Sequence, residues 1–174
     1  MAATYASPEQ LALSGKIINE DGRAISGVEI KLGDKSVDTD ATGIYQLSTV
    51  VKDIYQLSFN KEGYFPSIQT FSHYELSQNA ATIADITLVK KAKKRVMLAF
   101  GGDVMMGRRF YKPYFGDEIL IHRDNKLNDS KAIVQHIKPY MSLADYAAVN
   151  LETQIADEKP AERAPKSVTF YSEP

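Results

Sequence analysis

From Leu13 to Phe59 apolar residues recur at every second position in short runs. Leu13, Gly15 and Ile17 alternate with Ser14, Lys16 and Ile18; Val28, Ile30 and Leu32 with Glu29 and Lys31; Tyr45 and Leu47 with Gln46; and Tyr55, Leu57 and Phe59 with Gln56 and Ser58. A period of two puts each apolar set on one side of a strand, as a sheet with a single buried face requires. Turn chemistry separates the runs at Glu20-Asp21-Gly22, Leu32-Gly33-Asp34, Asp40-Ala41-Thr42-Gly43 and Lys61-Glu62-Gly63, which predicts an all-β region. The last run, Thr82 to Val89, sets Ile83 on one face and Ile86 and Leu88 on the other, leaving its register, or a bulge within it, open.

The texture changes at Lys90-Lys91-Ala92-Lys93-Lys94-Arg95, where five of six residues are basic. A run this short reads as a solvated linker between domains, with contact to an anionic surface as the alternative. Beyond it, the continuous apolar run from Val96 ends in Gly101-Gly102-Asp103, the pattern of a buried strand that delivers a carboxylate into a loop. Asn128-Asp129-Ser130 offers helix-start chemistry ahead of an apolar face at Ile133, Val134, Ile137 and Met141, and Pro139 ends or kinks that helix. Ala144 to Thr153 reads as a second short apolar strand, with Asn150 and Glu152 on the same side by alternation. Two parallel strands joined by a helix make a βαβ unit, and open α/β sheets place ligands at the carboxyl ends of their strands. Gly101 and Gly102 let backbone approach closely, and Asp103 is a hard oxygen donor suited to a divalent cation. Capping of the following turn by Asp103, and a plain loop position for Glu152, are the competing readings.

The chain of 174 residues has room for one ordinary domain or two small ones, and 44% apolar with 25% charged residues suits a packed core. A net charge of -1 supplies no global field, so nucleic acid is not an expected partner. Without cysteine there are no disulfides, thiolate zinc sites or cysteine nucleophiles. The longest apolar stretch, Val96 to Met106, is interrupted by Gly101, Gly102 and Asp103 and is far shorter than the ~20 residues of a membrane helix. Met1 to Gln10 has neither a basic start nor an apolar run, so it is not an intact signal peptide, although it fits a start placed after a removed one. His73, His122 and His136 are each read as surface residues, with ligand roles as the alternative. The echo of Ile44-Tyr45-Gln46-Leu47-Ser48 in Ile54-Tyr55-Gln56-Leu57-Ser58 is read as two strands under one patterning constraint rather than a repeat array. Aromatics at Tyr45, Tyr55, Phe59, Tyr64, Phe65 and Phe71 could form a sugar- or peptide-binding strip, but those among them that alternate with polar residues are read as core filling in preference.

Gly15-Lys16-Ile17 with Glu20-Asp21-Gly22, then Ile25 to Ile30, Thr39 to Leu47 and Phe59 to Tyr64, resemble the carboxypeptidase regulatory-like domain over residues 13-90. That resemblance implies a seven-stranded, transthyretin-like β-sandwich of an extracytoplasmic protein. Gly22 and Gly43 suit positions needing positive φ, and Asp40 can bond the turn backbone. Residues 91-95 would form the linker.

Gly101 to Arg108 and Ala144 to Thr153 together resemble the bacterial capsule-synthesis family, the CapA-type PGA_cap domain of poly-γ-glutamate production, over residues 96-174; Phe170 and Pro174 resemble its following segment. The resemblance implies a divergent calcineurin-type metallophosphoesterase, so the whole chain reads as a β-sandwich followed by a truncated α/β domain. Carried over residue by residue, Asp103 matches a metal ligand and Asn150 and Glu152 a second-motif polar pair, with Gly101, Gly102, Gly107 and Arg108 forming the supporting loop. Met105 stands where calcineurin-type enzymes carry a histidine, and the family's Asn-Asn-His segment does not occur before Pro174. The implied cofactor is a divalent metal ion of unspecified identity, held weakly, so catalysis by these residues alone is not expected. The implied setting is extracytoplasmic, periplasmic or cell-surface. The implied partners are an anionic polymer or cell-envelope polysaccharide and other capsule-synthesis membrane subunits.

Overall fold

The computed structural model describes residues 9–155 and 171–172. The chain divides into two compact units, Met1–Arg95 and Val96–Pro174.

In the first unit the alternating runs become strands β1 (Gln10–Asn19), β2 (Glu29–Leu32), β3 (Lys35–Asp38), β4 (Ile44–Val50), β5 (Ile54–Asn60), β6 (Ser67–Ser72) and β7 (Ile86–Leu88), with helix α1 (His73–Gln78) between the last two. They form a three-stranded sheet ordered β4-β1-β7 and a four-stranded sheet ordered β3-β2-β5-β6. Strand β1 is antiparallel to β4 and parallel to β7. Leu13 and Ile17 from one sheet join Ile30, Leu57 and Phe59 from the other in one buried cluster, so the two sheets enclose a common core. The repeated pentapeptide serves that core from both sides: Tyr45 and Leu47 lie on the three-stranded sheet, Tyr55 and Leu57 on the four-stranded one, and all four are buried. Tyr45 packs edge-on against Phe59, and its buried hydroxyl finds no hydrogen-bond partner among the described residues. Burial pushes the ionisation of that phenol well above its ordinary range.

The run from Thr82 to Val89 is two pieces. Thr82 bridges to Ser14, regular pairing lapses, and β7 resumes alongside Ile17 to Asn19. That interruption lets Ile83 and Leu88, which strict alternation would place on opposite faces, both reach the core. Gly43, at φ 79°, closes a turn in which Asp40 Oδ1 accepts the backbone N–H of Thr42 at 2.8 Å and of Ile44 at 3.0 Å. A Cβ at Gly43 would lie 2.6 Å from the Ile17 carbonyl oxygen. His73 starts α1; Ser72 caps that helix by accepting the Glu75 N–H while Glu75 accepts the Ser72 N–H. The basic run is not wholly free either. Lys90 bridges to Tyr64, the Lys91 N–H donates to Gly63 O at 2.7 Å, and the Arg95 guanidinium pairs with the Glu20 carboxylate.

The second unit contains β8 (Leu98–Val104), a 3-10 turn at Arg108–Phe110, α2 (Lys126–Val134), α3 (Lys138–Met141), β9 (Tyr146–Leu151) and a short parallel pair, β10 (Gln154–Ile155) with β11 (Tyr171–Ser172). Strands β8 and β9 are parallel neighbours joined through α2 and α3, a βαβ unit. The helical segment differs from its expected form. Asn128, Asp129 and Ser130 lie inside α2, which starts at Lys126, and the helix breaks before Pro139, which instead occupies the first turn of α3, where its missing N–H costs nothing. The expected burial of β8 and β9 is not observed among the described residues: Phe100 is 77% exposed and Tyr146 70%. A parallel strand needs a layer on each face, and the described residues near these strands supply little beyond Met141 of α3, beside Gly101.

Candidate metal site at the strand ends

The pairing of β8 with β9 decides where Asp103 points. Leu98, Ala99 and Phe100 lie opposite Tyr146, Ala147 and Ala148, an offset that would set Asp103 against Leu151. The register shifts after Phe100 and resumes with Asp103 opposite Asn150 and Val104 opposite Leu151. Gly101 and Gly102 therefore share the space across from Val149, which is a β-bulge. Partners in register on parallel strands project to the same side of the sheet, so the extra residue turns Asp103 onto the side of Asn150.

The two side chains meet there, Asn150 Nδ2 donating to Asp103 Oδ1 at 2.7 Å. Pairing continues one step further, the Glu152 N–H donating to the Val104 carbonyl at 3.0 Å. Glu152 thus follows Asn150 by two residues at the carboxyl end of β9, with its side chain exposed like that of Asp103. The glycines have separate reasons. A Cβ on Gly101 would lie 2.8 Å from Val149 Cγ1, whereas one on Gly102 would meet nothing within 4 Å among the described residues. A side chain at Gly101 would press on Val149 at the bulge, whereas among the described residues nothing crowds Gly102.

Asp145, within the second motif, received no role from the sequence. Its Oδ2 accepts the Met97 N–H at 2.8 Å and its own N–H donates to the Met97 carbonyl at 2.9 Å, which pins the entry of β8 to that of β9. An aspartate immediately before an apolar strand is the signal that would have found it. Gly107 is buried in the loop after β8, and Arg108 begins the 3-10 turn, its side chain lying outside the described residues. Met105, Gly107, Arg109, Asp117 and Glu118 line a cleft of about 360 Å3 that this loop borders. Arg109 lies over the Tyr114 ring at 5.4 Å. Phe170 and Pro174 lie outside the described residues.

Asp103 and the Asn150 amide give an all-oxygen donor pair, with the Glu152 carboxylate next along the strand. That chemistry suits a hard cation such as magnesium, which binds through one or two carboxylates and keeps several waters. It does not suit a soft or imidazole-preferring metal. Among the described residues no three His, Cys, Asp or Glu side chains cluster closely enough to form a complete metal cage.

No curated protein matches the chain. Among solved structures, 3-chlorocatechol 1,2-dioxygenase from Rhodococcus opacus 1CP aligns at a TM-score of 0.39 and 13% identity over 49% of this chain and 61% of that one. A type II cohesin–X-dockerin complex from Acetivibrio cellulolyticus aligns at 0.32 and 18% over 45% and 51%. BcpA, the major pilin subunit of Bacillus cereus, aligns at 0.39 and 12% over 54% and 34%. In each case less than two thirds of the other chain is spanned. The segment that carries the strand-end pair is also the segment with a family match: residues 97–174 match the bacterial capsule synthesis protein family, PGA_cap.

Proposed function

We propose that this chain is part of an extracytoplasmic capsule-synthesis protein whose second unit is a metallophosphoesterase-like domain working on an anionic, poly-γ-glutamate-like polymer. The observation that carries this reading is the bulge-directed meeting of Asp103 and Asn150 at the ends of two parallel strands, in the segment that matches PGA_cap. Asp103, Asn150 and Glu152 are the residues that would hold a hard divalent ion. When bound, such an ion polarises a phosphoryl or carboxyl oxygen and lowers the pKa of water. Within the chain, the Asn150 amide orients the Asp103 carboxylate, and the Glu152 carboxylate supplies a further acceptor at the same edge. The first unit, in this reading a carboxypeptidase regulatory-like domain, contributes recognition or spacing.

Calorimetric titration with magnesium or manganese tests the proposal. Binding with Kd on the order of 10⁻³ M, abolished by Asp103→Ala, is the expected result for so few protein ligands. Equal heats from the wild type and the variant would remove the metal role.

A second reading, a non-enzymatic surface module that binds glycan or polymer, draws on the first unit. There Gly27, Asn60, Lys61, Tyr64 and Lys91 help line a polar cleft of about 460 Å3. An absence of metal heats together with saturable binding of polymer fragments favours this alternative.

A further inference from the structure

The second unit holds another organised group of polar side chains. His122, in the loop ahead of α2, directs both its backbone N–H and its ring Nδ1 at one oxygen, Asp129 Oδ2, at 2.8 and 2.9 Å. The other carboxylate oxygen accepts Asn125 Nδ2 at 2.8 Å, and Asn125 Oδ1 in turn accepts Asn128 Nδ2 at 2.9 Å. The Asp129 side chain is 16% exposed and that of His122 56%, so the anchor is sheltered while the imidazole faces outward. Hydrogen bonds from His122, backbone first and then ring, hold the Asp129 carboxyl below its ordinary range. A carboxylate held in this way fixes the orientation of the imidazole and leaves Nε2 as its remaining polar atom.

That imidazole lines a cleft of about 460 Å3. Ile119 and the fully buried Ile121 supply apolar wall, and Tyr111, Lys112, Arg123 and Asp124 complete the lining. An apolar wall with a few convergent polar groups is the usual make-up of a small-ligand site. Two permanent cations, a phenol and a positioned imidazole against one lining carboxylate favour an anion, and a guanidinium matches the geometry of carboxylate and phosphate oxygens.

We propose that this cleft binds the oxyanion group, carboxylate or phosphate, of a small ligand or chain end. Lys112 and Arg123 supply the charge, and His122 supplies a directed contact. Asp129 and Asn125 act as positioning residues through His122. The inference is independent of any metal at Asp103. A purely structural role, in which the His122–Asp129 pair only ties the loop to α2, predicts no response to anions.

The test is an NMR titration of the whole chain with inorganic phosphate and, separately, with glutarate, at constant ionic strength. The ring Cε1–H signals of the three histidines, His73, His122 and His136, report the outcome. A saturating shift at His122 that exceeds any change at His73 and His136 is expected with at least one anion, and the one that saturates identifies the oxyanion class. Lys112→Gln and Arg123→Gln, both at exposed positions, should each weaken the response about tenfold. Asp129→Asn should diminish the His122 shift more than the overall affinity. A His122 signal that moves no more than that of His136 with either anion, or an affinity unchanged in both charge variants, overturns the proposal.

Discussion

The two units treat their strands in opposite ways. In the first, side chains that alternate with polar neighbours vanish between two sheets, and Leu13, Ile30 and Phe59 are fully buried. In the second, β8 and β9 have apolar residues on both faces, yet Leu98, Phe100, Val149 and Leu151 remain exposed among the described residues. A one-sided pattern is satisfied by a single facing sheet, whereas a two-sided one calls for two covering layers. Among the described residues the packed apolar core therefore lies in the first unit. In the second, Asp103 and Glu152 lie exposed at the strand ends among the described residues.

The difference can be broken most severely at Gly43. With φ at 79° and the Ile17 carbonyl 2.6 Å from any added Cβ, Gly43→Ala has to distort β1 or the turn. A loss of about 2 kcal/mol or more, read from urea denaturation followed by far-UV circular dichroism, is expected for the first unit. A variant as stable as the wild type would show that the turn is not under steric control.

The corresponding break in the second unit is gentler and more local. Gly101→Ala presses on Val149 and is expected to shift the bulge and weaken the Asp103–Asn150 hydrogen bond, whereas Gly102→Ala meets nothing within 4 Å among the described residues. The Asn150 side-chain amide signals should move strongly in the first variant and little in the second. Metal affinity should fall severalfold in the first alone. Equal effects from the two substitutions would contradict the bulge account.

The mildest perturbation is acid. Glu20, beside the Arg95 guanidinium, has a pKa lowered to about 2 from 4.5. Asp40, bonded by Thr42 and Ile44, and Glu75, bonded by Ser72, also titrate below their ordinary values. Each group is a stronger acid folded than unfolded, so its contribution is complete at neutral pH and fades on acidification; for Glu20 the loss runs as the pH falls from about 4.5 towards about 2. All three are at the surface, so the decline should be shallow, and Arg95→Ala should flatten its most acidic part. Stability that rises in that window would reverse the sign.

The sequence made the first unit legible because alternation and turn glycines are local signals. Tyr45, Leu47, Tyr55 and Leu57 face inward as their period requires, and Gly22 and Gly43 hold positive φ. The pause between Ile83 and Ile86 was less legible, since its pairing depends on β1, far away in sequence. In the second unit the parallel strand pair and the acidic strand end could be read from the apolar runs. The role of Gly101-Gly102 could not, because a bulge is a property of two strands and only the register with β9 exposes it. The grip of Asp129 on His122 was hidden for a related reason. Asp129 reads as helix-start chemistry, but α2 begins ahead of it, at Lys126, which frees the carboxylate to reach back to the loop.

Paramagnetic broadening by manganese is the most direct test that the bulge builds a cation site. Trace Mn²⁺ added to ¹⁵N-labelled protein should broaden the amide signals of Asp103, Asn150 and Glu152 first, and Asp103→Asn should abolish that selectivity. Broadening centred on Asp117 and Glu118, or spread evenly over the surface carboxylates, would contradict the account.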